Sequence, residues 1–208
     1  MIWTTGAKFP WEPTSTPLPT DVRLQVWPWS FLVYQLYSRP MANIDETQLT
    51  YLLDRLAISD VQLRYATGAD TRDWVLYRSC FTDEIDTDFT SVFGGQPRRG
   101  NADRFVEAAR RFLTGLKATQ HMITNHVITI EGDKATCVAY VQARHHLPNE
   151  TGDADQTMFG YYTNRFVRTP DGWKISACKL TVTWNSGNWG VFELARKRFE
   201  EAERSAKE

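Results

Sequence analysis

The chain has 208 residues, a formal net charge of −1 and 42% hydrophobic residues, which suits one soluble domain with its own core and not two. The near-neutral balance and the lack of a Lys/Arg-rich run give no general attraction to phosphate backbones or anionic membranes, so no nucleic-acid partner is expected. Cys80, Cys137 and Cys178 are an odd number without close spacing, which points away from a disulfide framework or zinc site and toward reduced thiols in the cytoplasm.

Residues 1–40 carry six prolines and no sustained period, so residues 1–44 read as an irregular arm. Its longest apolar run, FLVYQLY, is too short to span a bilayer, and the arm lacks a basic n-region and a small-residue cleavage site. MANIDETQLTYLLDRL would make a natural helical start, which makes Met41 an expected later initiation site.

From Asp45 the chain becomes periodic. Leu49, Leu52, Leu53, Leu56, Val61, Leu63 and Tyr65 mark a helix ending near Gly68, and Trp74, Leu76, Tyr77, Cys80 and Phe81 mark a short second one. EIDTDFTSVF alternates as a strand, GGQPRRG is a turn, and NADRFVEAARRFLTGL is a third helix capped by Asn101. Four long strands follow: TQHMITNHVITIEGD, KATCVAYVQARHHLP, QTMFGYYTNRFVRTPDG and WKISACKLTVTWNSG, with hairpin signals at EGDK and PDGW. Residues 45–190 form the main domain, and a polar helix within 191–208 closes the chain. Helices first and a run of antiparallel strands after them predict an α+β fold, with helices gathered on one side of a curved sheet that encloses a pocket.

Two of the four histidines fall on one strand. Alternation predicts opposite faces for His121 and His126, with Ile123, Asn125 and Val127 beside the first and Met122, Thr124 and Ile128 beside the second, so they cannot share a metal. His126 reads as an ordinary histidine with a local hydrogen bond. His145 and His146 likewise face opposite ways; the apolar Val141 and Ala143 on the face of His145 favour it as the pocket residue.

The segments RYATGADTRDW, TQHMITN, AYVQARHHLP, RTPDGWKI and LTVTWNSGN together resemble the SnoaL-like branch of the nuclear transport factor 2-like superfamily, over about residues 45–190. Within it the chain is most similar to the group containing scytalone dehydratase and hexachlorocyclohexane dehydrochlorinase. The resemblance implies a cone-shaped α+β barrel open to a small hydrophobic molecule, and proton abstraction by a histidine that a carboxylate orients. Carried over by motif, these are His121 and Asp70, with His145 as a second histidine of the site. Read without the resemblance, Asp70 also suits the turn chemistry of Gly68 to Arg72, and Asp73 suits a helix cap.

Scytalone dehydratase holds its substrate carbonyl through tyrosines; the matching positions here are Ala69 and Thr87, which separates this chain from that substrate. Tyr65, Asn125, Tyr161 and Trp184 are the candidates to line or orient the ligand instead. The expected function is a cofactor-independent lyase or isomerase of dehydratase or dehydrohalogenase type. Polyketide cyclisation needs the same acid–base groups, and a ligand-binding module or the small subunit of an aromatic-ring dioxygenase uses the same fold without chemistry. No G-x-G-x-x-G, P-loop or metal constellation appears, so no cofactor is implied. Relatives of this group associate as homodimers or homotrimers through the sheet, and the resemblance implies the same here.

Overall fold

A capping box starts the first helix. The Asp45 carboxylate accepts from the Gln48 N–H while the Gln48 side chain accepts from the Asp45 N–H, which satisfies two donors that a helix start leaves unpaired. In the computed structural model, which describes residues 45–206 and 208, this helix, α1, spans Glu46–Thr71. The expectations for residues 1–44, including Met41, lie outside the described residues. The chain then runs through α2 (Trp74–Ser79), β1 (Phe81–Asp88), α3 (Thr90–Phe93), β2 (Arg98–Asn101), α4 (Ala102–Leu113), β3 (Ala118–Glu131), β4 (Lys134–His146), β5 (Asp155–Thr169), β6 (Gly172–Gly187) and α5 (Gly190–Ser205).

The six strands form one curved, unclosed sheet in the order β2-β1-β6-β5-β4-β3, antiparallel throughout except for β1 beside β6. With the helices packed on it, this is the expected α+β cone. Two hairpin turns, at Gly132 and Gly172, use positive φ where glycine carries no Cβ penalty. The core lies between sheet and helices, around Phe81, Phe166, Ile58 and Ile175, all essentially inaccessible. Asp54 anchors α1 to the β5–β6 hairpin: Arg168 donates two 2.7 Å hydrogen bonds to it and the Trp173 indole N–H a third.

Several boundaries differ from the sequence reading. The stretch EIDTDFTSVF is not one strand, because β1 ends at Asp88 and Thr90–Phe93 turn into α3, with the Asp88 carboxylate accepting from Thr90. Part of the expected turn GGQPRRG instead becomes β2, paired with β1. The closing helix is not simply polar: α5 buries Val191, Phe192, Ala195 and Phe199, and so belongs to the core of the main domain. On α1 the buried residues, Ile58, Val61 and Tyr65 among them, lie opposite Leu49, Leu53, Leu56 and Leu63, which stay exposed.

Helix α1 runs past Gly68 to Thr71. Gly68 is there for close packing, since a Cβ at this position would stand 2.8 Å from the Tyr77 backbone nitrogen of α2. Alanine is the better helix former by about 1 kcal/mol, but overpacking against a backbone atom costs about 1–3 kcal/mol. Gly68→Ala is therefore expected to lower the unfolding free energy in urea titrations. A stabilised variant would mean that α1 and α2 lie further apart than described.

Candidate active site

Asp70 sits in the last turn of α1, and β3 runs alongside it. Its carboxylate accepts three hydrogen bonds from that strand: from the Thr119 hydroxyl (2.9 Å), the His121 backbone N–H (2.7 Å) and His121 Nδ1 (2.6 Å). The last contact assigns the ring proton to Nδ1, because a carboxylate only accepts. No partner for Nε2 is found among the described residues, and the ring lines a cavity of about 430 Å³. Burial alone pushes the Asp70 carboxyl up. The His121 ring, by hydrogen bond and charge, outweighs this together with the His121 N–H and Thr119, and holds the group below the usual carboxylate range.

A supporting layer holds this pair. Arg72, in the left-handed conformation that ends α1, donates to the Ala69 carbonyl (2.5 Å) and to the Thr119 hydroxyl (2.7 Å). Thr119 thus accepts from Arg72 and donates to Asp70, which orients one carboxylate oxygen. Neither residue was singled out from sequence, although both stand inside the quoted motifs.

His145 enters from β4, with its ring centroid 5.7 Å from that of His121 in an edge-to-face arrangement and 4.8 Å from that of Phe192 on α5. Its Nδ1 lies 3.1 Å from Gln156 Oε1, and only 3% of the residue is accessible. The burial first, and then the neighbouring His121, push its pKa down from the ordinary 6.5 to about 3, so this imidazole is neutral at neutral pH. His146 points the other way, to Asp155 on the outer side at 2.8 Å.

The rest of the cavity is aromatic and aliphatic. Phe105, Ala108, Ala109 and Phe112 recur at i, i+3, i+4 and i+7 and give it one face of α4, while Met158 and Leu180 come from the sheet. Tyr65, Tyr77 and Tyr162 also line it, and Thr87, Gln96 and Arg98 bring polar groups from β1, β2 and the segment between them. The helical period of α4 is visible in the sequence, but the identity of what its apolar face encloses is not. Among the described residues no cluster of three or more His, Cys, Asp or Glu side chains could hold a metal ion.

Of the residues expected at the site, Asp70, His121, His145 and Tyr65 converge. Three others do not. Asn125 is exposed at φ 55°, in a β-bulge between Thr124 and Val127; Asn tolerates that left-handed conformation, and its side chain does not line the cavity. The bulge also resets the alternation. His126 therefore faces α1, as His121 does, and its Nδ1 lies 2.7 Å from Ser59 Oγ, while Val127 turns to solvent. Tyr161 takes the outer face, opposite Tyr140, because its neighbour Tyr162 is the one buried inside. Trp184 is 55% exposed and stacks at 3.8 Å on Phe159, also on the outer face. Asp73 caps α2 through the Leu76 N–H, as expected.

A curved α+β cone with a carboxylate–histidine pair at its cavity defines the class of fold, and comparison with known proteins agrees. The SnoaL-like domain profile matches residues 50–179. Over 147 residues the chain is 31% identical to terrestric acid biosynthesis cluster protein E of Penicillium crustosum, covering 68% of this chain and 90% of that one. The crystal structure of the Kfla4162 protein from Kribbella flavida superposes with a TM-score of 0.65 at 37% identity, over 70% of this chain and 99% of the other. Hexachlorocyclohexane dehydrochlorinase LinA-type3 from Novosphingobium barchaimii LL02 shares the fold, with a TM-score of 0.56 at 21% identity over 68% and 94% of the two chains. The chain belongs to the SnoaL-like family of the nuclear transport factor 2-like superfamily. No described helix is long and apolar enough to cross a membrane.

The buried His145 makes stability depend on pH. Its folded pKa is depressed, so between pH 6.5 and about 3 the unfolded chain binds a proton that the folded chain does not. Stability is lost as pH falls through that window, by up to about 1.4 kcal/mol per pH unit. His145→Asn is expected to show a shallower decline over this range in denaturation series at stepped pH. A slope equal to that of the wild type would mean that His145 already takes up its proton in the native state.

Proposed function

We propose that the protein is a cofactor-independent lyase or isomerase acting on a small, largely apolar carbonyl compound. The observation that carries this reading is the 2.6 Å contact of His121 Nδ1 with Asp70, which leaves Nε2 as the basic nitrogen of a ring lining an apolar cavity. Asp70 fixes the tautomer and stabilises the imidazolium, and such general-base help is worth about 10²- to 10⁴-fold in rate.

In this reaction His121 Nε2 takes a proton from carbon beside the carbonyl, and the electrons of the C–H bond move onto the carbonyl oxygen as an enolate. Collapse of the enolate re-forms the carbonyl and expels a group from the β-carbon. A leaving hydroxide takes the proton back from His121 and departs as water; a halide leaves without it, and the proton passes to solvent. If no group leaves, reprotonation at another carbon completes an isomerisation. His145, neutral, accepts a hydrogen bond from a substrate hydroxyl through the ring nitrogen that Gln156 does not hold. The apolar wall supports this reading, because excluding water strengthens the interaction between base and carboxylate.

The test needs no knowledge of the natural substrate. Deuterium incorporation beside the carbonyl of 1-indanone and 2-tetralone in D₂O, followed by proton NMR, is expected to be protein-dependent and to fall about 10²- to 10⁴-fold in His121→Gln. Asp70→Asn should slow the exchange as well and release the ring from the Nδ1–H tautomer, which nitrogen chemical shifts report. Exchange that survives His121→Gln, or no exchange with the wild type, would overturn the dyad.

A further inference from the structure

Tyr65 and Tyr162 meet inside the cavity. Tyr65 comes from α1 and Tyr162 from the inner face of β5; both are at least 96% buried, and the Tyr65 hydroxyl donates to the Tyr162 oxygen at 3.2 Å. Two hydroxyls carry two protons, and one hydrogen bond lies between them. One proton is therefore left over, and among the described residues no acceptor for it is found. An unspent phenolic proton in an apolar enclosure is costly unless something accepts it.

We infer that the Tyr162 hydroxyl, polarised by Tyr65, is the donor that receives the substrate oxygen as negative charge develops on it. The inference rests on the proton-abstraction reading above and supplies what the dyad lacks. A histidine that removes a C–H proton leaves an enolate, and donors already aimed at that oxygen are where an enzyme gains most. Tyr162 and the ring of His121 line the same cavity, so one small molecule can meet both.

Tyr162 transfers no proton in this scheme. Burial, first of all, raises its pKa above the ordinary phenol value, so it remains an O–H donor through the reaction. Accepting from Tyr65 strengthens its own donation, because hydrogen bonds in a chain polarise one another. Tyr162 is the catalytic residue and Tyr65 the positioning one. The positions that the resemblance matches to the carbonyl-holding tyrosines of scytalone dehydratase are Ala69 on α1 and Thr87 on β1, so the donor assigned here comes from a different strand, β5.

The experiment uses 4-nitrophenol, whose phenolate imitates the enolate oxygen and whose ionisation is visible in its absorbance, with 4-nitroanisole as the neutral partner of similar shape. The full chain is titrated with both, as wild type and as Tyr162→Phe, Tyr65→Phe and His121→Gln. Tyr162→Phe should bind the phenolate about 10- to 100-fold more weakly, the range for a hydrogen bond to a charged acceptor, with 4-nitroanisole unchanged. Tyr65→Phe should keep 4-nitroanisole binding and raise the pKa of the bound phenol above its value in the wild type, a shift that loss of packing alone would not produce. Phenolate affinity that is unchanged in Tyr162→Phe, or absent in the wild type, overturns the proposal. Loss in Tyr162→Phe, with deuterium exchange that survives in His121→Gln, keeps the tyrosine pair and counts against the histidine as base, so the two readings fail separately.

Discussion

The carboxylate of Asp70 is the constraint around which the site is organised. A negative charge in the last turn of a helix lies at the end where the helix dipole is also negative, and is disfavoured there. Three hydrogen bonds from β3 offset this, two of them from a single residue, His121. Because one of those donors is backbone, the carboxylate sets the position of the strand as well as the orientation of the ring. Arg72 adds its charge at the same helix end and caps the Ala69 carbonyl, so the junction of α1 with β3 is closed by charge and hydrogen bonds together.

Around that polar junction the cavity is a matter of apolar packing. Tyr77 and Phe105 pack edge-on against Phe81 at 5.2 and 5.3 Å, and Phe112 stacks on Phe192 at 4.6 Å. This brings α4 and α5 to the sheet and seals His145 from water. The same burial keeps His145 neutral and the tyrosines protonated. One environment therefore fixes the protonation states of the groups that line the cavity, while Asp70, bonded to three donors, stays ionised beside it.

The inner and outer faces of the sheet have separate roles. His121, His145, Met158 and Tyr162 look inward to the cavity, whereas Tyr140, Phe159 and Trp184 lie on the far side. The bulge at Asn125 is where the phase of β3 changes. Before it the strand presents His121 and Ile123 to the interior; after it, His126, Ile128 and Ile130. One extra residue lets a single long strand give one histidine to the cavity and another to Ser59 on α1.

What was legible in the sequence was local. Asp73 and Asn101 announce helix starts because their side chains satisfy nearby backbone donors. Alternation separated His145 from His146 because β4 is unbroken, and the motifs around Asp70 and His121 pointed to their pairing through family resemblance. Alternation says only which residues share a face; it does not say which face is inside. Tyr161 and Trp184 were therefore assigned to the pocket when Tyr162 and the apolar side of α4 form it, and Asn125 was misplaced by a bulge that a left-handed residue makes possible. Arg72, Thr119 and Phe192 joined the site only through tertiary contacts, as did α5, whose apolar stripe has no meaning until α4 and the sheet supply its partner. Composition, period and caps determined the long helices and strands, because those act over a few residues of chain, and left the short α3 and β2 to tertiary pairing. The tertiary structure decided the site, because a cavity is made by side chains far apart in sequence that meet only after the sheet has curved.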